Sequence, residues 1–174
     1  MNFTLRDIPS RKKIEAMAEK YKELDVDSVL TALEMLRVSR EMMSMAEKFF
    51  ASFQISLGKF SVLMLLFRHR EEGGLSPSVL AEKAGVTKAT ITGLIDGLEK
   101  MKLITKTPKK NDRRSVEIRI NENGVGFLNV ILPEHYSRVS KLYANMEADE
   151  KSQFMALLNK ISKNIEDLEH AQKT

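Results

Sequence analysis

The 174-residue chain contains no cysteine. Disulfides, thiolate metal sites and thiol-based redox sensing are thereby excluded, and the composition suits a reducing cytosol. Proline (four) and glycine (eight) are scarce, which favours helix. The longest apolar run, VLMLLF at 62–67, falls far short of the roughly 20 residues that cross a bilayer. The opening MNFTLRDIPSRKK has no apolar core of a secretory signal. A soluble cytoplasmic protein without a membrane partner is expected. Also missing are a nucleophile–base pairing, a phosphate loop, a His-Glu metal spacing and an obvious carboxylate pair. Neither an enzyme nor a cofactor is implied. His69, His135 and His170 are scattered and read as surface or packing residues rather than metal ligands.

Net charge is +4, and its placement says more than its size. Residues 85–120 hold nine Lys and Arg against four Asp and Glu, a net of +5, while the rest hold 19 against 20. Charge focused in one fifth of a chain is the footprint of a polyanion binder. Its densest part is TKTPKKNDRRSVEIRI (105–120), with Lys106, Lys109, Lys110, Arg113, Arg114 and Arg119.

Seven of the eight glycines lie between 73 and 126, and both flanks read as helices. Ser10 is a candidate cap for a short helix carrying Ile14, Met17, Ala18, Tyr21 and Leu24. Asp27 or Ser28 is the candidate cap of a long one running to about Gln54. That helix has two apolar stripes, one through Leu33, Leu36, Met43 and Phe50, the other through Leu30, Val38, Met42 and Phe49. A helix apolar on two faces needs two partners. Ser56 starts a helix to about Arg70. Asn121 caps one containing Phe127, Leu128, Ile131, Val139, Leu142 and Met146, with a kink expected at Pro133. A last helix, about 149–171, carries Phe154, Leu157, Leu158, Ile161, Ile165 and Leu168.

The middle, LSPSVLAEKAGVTKATITGLIDGLEKMKL (75–103), has the spacing of a helix-turn-helix. Ser76-Pro77 opens one helix, Gly85 turns the chain and Thr87 caps the next. Ala81 is the small contact residue, and Leu80, Ala84, Val86, Ile91 and Leu94 are the interlocking apolar positions. Leu103–Thr107 and the alternating Val116–Ile120 then read as a hairpin, the wing of a winged helix. Within the second helix Ile91, Leu94, Ile95, Leu98 and Met101 share the core side, leaving Ala89, Thr92, Gly93, Asp96 and Lys100 opposite. Recognition helices read bases with their N-terminal residues, which selects Lys88, Thr90, Thr92 and Gly93.

LAEKAGVTKATITGLIDGLEKMKLI (80–104), NDRRS (111–115) and INENG (120–124) together resemble the MarR family of winged-helix regulators. The resemblance is close over 57–126 and extends to the flanking helices in arrangement; the helix before residue 25 lies outside the minimal plan. NDRRS matches the family's Asp-x-Arg wing motif. The resemblance implies that Arg114 enters the minor groove, that Asp112 orients it, and that Arg113 adds a backbone contact. Family members often carry Arg where this chain has Gly93, and Asn121 replaces the usual Thr. Candidate DNA-binding residues are therefore Ser76, Ser78, Thr87, Lys88, Thr90, Thr92, Gly93, Lys109, Lys110, Arg113 and Arg114, with Asp112 orienting the wing.

The expected architecture is mainly α with a small β-hairpin wing. N-terminal helices (1–55) and C-terminal helices (125–174) would dimerise, and a winged helix-turn-helix (56–124) would bind DNA. The resemblance implies a homodimeric repressor on double-stranded DNA, released from a pseudo-palindromic site by a small-molecule effector. Met42, Met43, Met45, Phe49, Phe60, Met64 and Phe67 either line its pocket or are simply core. The rival readings are a winged helix used for non-specific DNA architecture or protein contacts, and a small helical enzyme.

Overall fold

The computed structural model describes residues 8–109 and 112–171, with residues 109 and 112–115 described in backbone only. Among these residues the chain is mainly helical. It holds seven α-helices and one two-stranded antiparallel sheet, and divides into two compact units, Met1–Asn121 and Glu122–Thr174.

In the first unit, α1 (Arg11–Ala18) precedes the long α2 (Val26–Ser52) and α3 (Leu57–Arg68). Ser10 takes the N-cap position of α1, but its hydroxyl makes no capping bond. The helix stops at Ala18, short of Tyr21 and Leu24. The cap of α2 is Asp25, and neither Asp27 nor Ser28 serves. Its carboxylate accepts the Ser28 N–H at 2.7 Å, and hydrogen bonds from Ser28 hold it below the ordinary aspartate range. Asp27 is taken up elsewhere, by Arg11 of α1 at 2.6 Å. One aromatic seam joins α2 to α3. Phe50 is 1% exposed, and its ring stacks on Phe60 at 3.9 Å while meeting Phe49 edge-on at 5.1 Å. Phe49 and Phe60 are thus core, whereas Met42 and Met43 lie on the surface. The two helix axes bend by 81° at the break between them, where Gln54 is left-handed and Ile55 is buried.

A 3-10 turn (Arg70–Glu72) leads into α4 (Pro77–Ala84) and α5 (Lys88–Lys100), followed by β1 (Ile104–Lys109) and β2 (Asp112–Ile120). The strands pair from Ile104–Ile120 outward to Lys109–Asp112, with an irregularity after Pro108. They are longer than the alternation suggested, because the ladder continues through polar residues once its apolar base is anchored. Leu75 adds a one-residue bridge, exchanging both backbone bonds with Ile118 at 3.0 and 2.8 Å. The core of this unit is Val62, Leu63 and Leu66 of α3, Leu80 and Ala81 of α4, Ile91, Ile95 and Leu98 of α5, and Ile104 and Ile118 of the strands.

The second unit holds α6 (Glu122–Leu142) and α7 (Ala148–Ala171). Asn121 immediately precedes α6, and its side-chain amide donates to the Lys102 carbonyl at 3.1 Å. Pro133 sits inside α6, which continues on both sides of it. Met146 lies beyond the helix, contrary to the periodicity. The N–H groups of Tyr143, Ala144 and Met146 turn to carbonyls three residues back, and that tightening ends α6 at Leu142. The apolar stripe of α7 is exposed except at the half-buried Leu158, from Phe154 (43%) to Leu168 (66%). Among the described residues no single helix is long and apolar enough to cross a membrane.

Leu98 is fully buried between α5 and its neighbours. Leu98→Ala is expected to cost about 2–5 kcal/mol of stability, from lost transfer energy plus a cavity, measured by urea unfolding.

Candidate nucleic-acid interface

Each joint of the helix-turn-helix has a local cause. At the start of α4 the Ser76 hydroxyl accepts the Val79 N–H, and Pro77 at the first position forfeits no helical bond. Gly85 has φ 64° and ψ 35°, a left-handed conformation that costs an L side chain energy. It lets the Val86 N–H return to the Ala81 carbonyl at 3.0 Å and close the helix end. Thr87 then accepts the Thr90 N–H at 3.2 Å and starts α5. Because α5 buries Ile91 (1%), Ile95 (3%) and Leu98 (0%) against α3 and α4, its roll about its own axis is determined. The outer face, Lys88, Ala89, Thr90, Thr92, Gly93 and Asp96, is exposed.

The residues singled out from sequence fall into three places. Thr87, Lys88, Thr90, Thr92 and Gly93 share the exposed N-terminal half of α5. Ser76 and Ser78 sit together at the start of α4, their hydroxyls 2.9 Å apart. Lys109, Asp112, Arg113 and Arg114 flank the tip of the hairpin by backbone. Their side chains, and Lys110 altogether, lie outside the described residues. Among the described residues no group of three His, Cys, Asp or Glu side chains could hold a metal ion.

Two of the six cations counted between 105 and 120 are not turned to an outside partner. Lys106 Nζ lies 2.7 Å from Asp96 Oδ1 and 2.7 Å from Glu99 Oε2. Arg119 pairs with Glu117 at 3.1 Å. The Lys106 contacts tie β1 to the second half of α5. Hydrogen bonding to Asp96, then to Glu99, raises the lysine above its ordinary range, so it stays charged. Sequence reading missed this brace. Asp96 and Glu99 are three apart and so share a helix face, but which strand residue meets them depends on the turn at Lys102, where φ is 58°.

Two glycines interrupt α5 where alanine would be about 1 kcal/mol more favourable each. Gly97 has an internal reason. A Cβ there would displace the flexible end of Lys59 of α3, which packs in the space glycine leaves. Gly93 has none among the described residues, since a Cβ there meets nothing within 4 Å.

Residues 55–116 match the model of the MarR family. Over 161 residues the chain is 35% identical to the HTH-type transcriptional repressor YetL of Bacillus subtilis, spanning 92% of this chain and 96% of YetL. The chain belongs to the MarR family. It is a winged helix-turn-helix transcription regulator that binds DNA, from a family that is not enzymatic. Solved structures agree in fold. The MepR–DNA complex of S. aureus superposes with a TM-score of 0.67 at 22% identity, over 77% of this chain and 95% of MepR. AbsC, a MarR family transcriptional regulator from Streptomyces coelicolor, gives 0.73 at 19%, over 83% and 97%. In MarR terms α4 and α5 are the helix-turn-helix and β1–β2 the wing.

Gly93→Ala should therefore separate two readouts. Thermal unfolding should show a gain of about 0.8–1 kcal/mol from helix propensity. Affinity for a selected DNA site should fall, because the added methyl meets none of the described residues and takes up space an external partner would fill.

Proposed function

We propose that the chain is a homodimeric cytoplasmic repressor that holds a pseudo-palindromic operator and releases it when a small ligand binds. The observation carrying this reading is α5, pinned by its buried face with its N-terminal half open to solvent. A helix so held can lay that half in the major groove while the wing follows the backbone. In this reading Lys88, Thr90, Thr92 and Gly93 face base edges. Ser76, Ser78, Thr87, Lys109, Lys110 and Arg113 meet phosphates, and Arg114 enters the minor groove beside an orienting Asp112. The brace from Lys106 to Asp96 and Glu99 supports it, since wing and recognition helix then engage the duplex as one body.

The dimer is supported by apolar surface that one chain leaves in water. On α2, Leu36 is 68% exposed and Met43 52%; on α7, Leu157 is 55% exposed and Ile165 51%. Such surface on two separate long helices is what a second copy buries. The helices of 1–55 and 125–174 would thus dimerise, and 56–124 would read DNA. Two recognition helices would then lie about 34 Å apart, one turn of duplex. Repression follows the role that its relative YetL carries in its name.

The tests are a footprint on the promoter of the chain's own gene and sedimentation equilibrium. A strictly monomeric protein, or one preferring no sequence over random duplex, would overturn the reading. Arg114→Ala is expected to weaken operator binding by about 1–3 kcal/mol in a titration, with folding unchanged. About four phosphate contacts per subunit predict a log–log salt slope of roughly −7.

A further inference from the structure

Beyond Lys88 at its first position, the exposed face of α5 carries none of the side chains that read a base by paired hydrogen bonds. Ala89, Thr92, Gly93 and Asp96 recur at helical spacing and are all exposed. No Arg, Asn or Gln stands among residues 88–98, so bidentate adenine recognition is not available there and guanine could be read only by Lys88. Lys88, at the first helical position, is the one long donor among residues 88–98; Lys100 stands at the far end of the helix. The other polar side chains of this face already make hydrogen bonds inside the protein. The Thr92 hydroxyl donates to the Lys88 carbonyl at 2.8 Å. The Thr87 and Thr90 hydroxyls share a hydrogen bond of 2.9 Å. Asp96, which could accept from a cytosine amino group, is held by Lys106 at 2.7 Å.

Past Lys88, the centre of this face is apolar: the Ala89 methyl, the γ-methyl of Thr92 and, beside them, a glycine with open space over it. An apolar contact in the major groove has one natural counterpart, the C5-methyl of thymine. We infer that Thr92 is a specificity-determining residue that reads thymine by methyl–methyl contact, with Gly93 letting the helix backbone approach closely enough to make it. The chain accordingly selects half-sites with a thymine facing the centre of α5. This rests on α5 being the groove-entering helix of the function proposed above.

The experiment uses the full-length protein. Binding sites are selected from random duplexes, and affinities for the winning site are measured by fluorescence anisotropy. Each thymine is replaced in turn by deoxyuridine, which removes the C5-methyl and nothing else. At one thymine per half-site, affinity should drop about fourfold, the transfer worth of one buried methyl group. Thr92→Ser keeps the hydroxyl but lacks the γ-methyl. It should lose a similar factor on the thymine site and show no further loss on the uracil site, the non-additivity that marks a direct contact. Sequence-specific binding indifferent to every uracil substitution would overturn the inference while leaving the regulator reading intact. So would independent, additive losses from Thr92→Ser and uracil. Absence of any sequence preference would remove both.

Discussion

Burial of Ile91, Ile95 and Leu98 beneath α5 is the constraint from which the functional surface follows. These residues recur every three to four positions, so sinking them against α3 and α4 fixes the rotation of the helix as well as its position. Whatever lies opposite must then face outward. Ala89, Thr92, Gly93 and Asp96 are exposed for that reason, whatever their own chemistry would prefer. Gly85 makes this packing reachable by turning the chain sharply enough for α4 and α5 to cross.

Charge acts at a second level. The positive excess of 85–120 is real, yet part of it holds the module together. Lys106 bridges two carboxylates of α5 and thereby couples wing to helix, and Arg119 is matched within its own strand. In the proposed reading, the same pairing removes Asp96 from the repertoire of base-reading groups and offsets a negative charge that would oppose a phosphate backbone. Electrostatic attraction to DNA and the internal rigidity of the reader thus draw on one set of residues.

Much of this was legible from residues alone, and the misses share a cause. Caps with a strong local signal, Ser56, Ser76 and Thr87, fell where their hydroxyls meet backbone N–H groups three residues on. Around residues 25–28, several oxygen-bearing side chains compete for one role. Asp25 took it, while Asp27 was drawn to Arg11, a partner 16 residues away. The end of α6 before Met146 was likewise hidden, because an apolar period continues past the point where the backbone tightens. The Leu75–Ile118 bridge had no local mark, as one residue carries no periodicity.

Element types, the helix-turn-helix with its left-handed glycine, the wing and the family could be read from residues alone, because each rests on short-range rules of capping, period and turn geometry. Only the tertiary structure decided which polar groups on the reading face remain available. Pairing of Lys106 with Asp96 and Glu99, and packing of Lys59 over Gly97, bring together residues from separate elements. The distances between such residues are set by how helices and strands stack, and no local pattern of residue types encodes them.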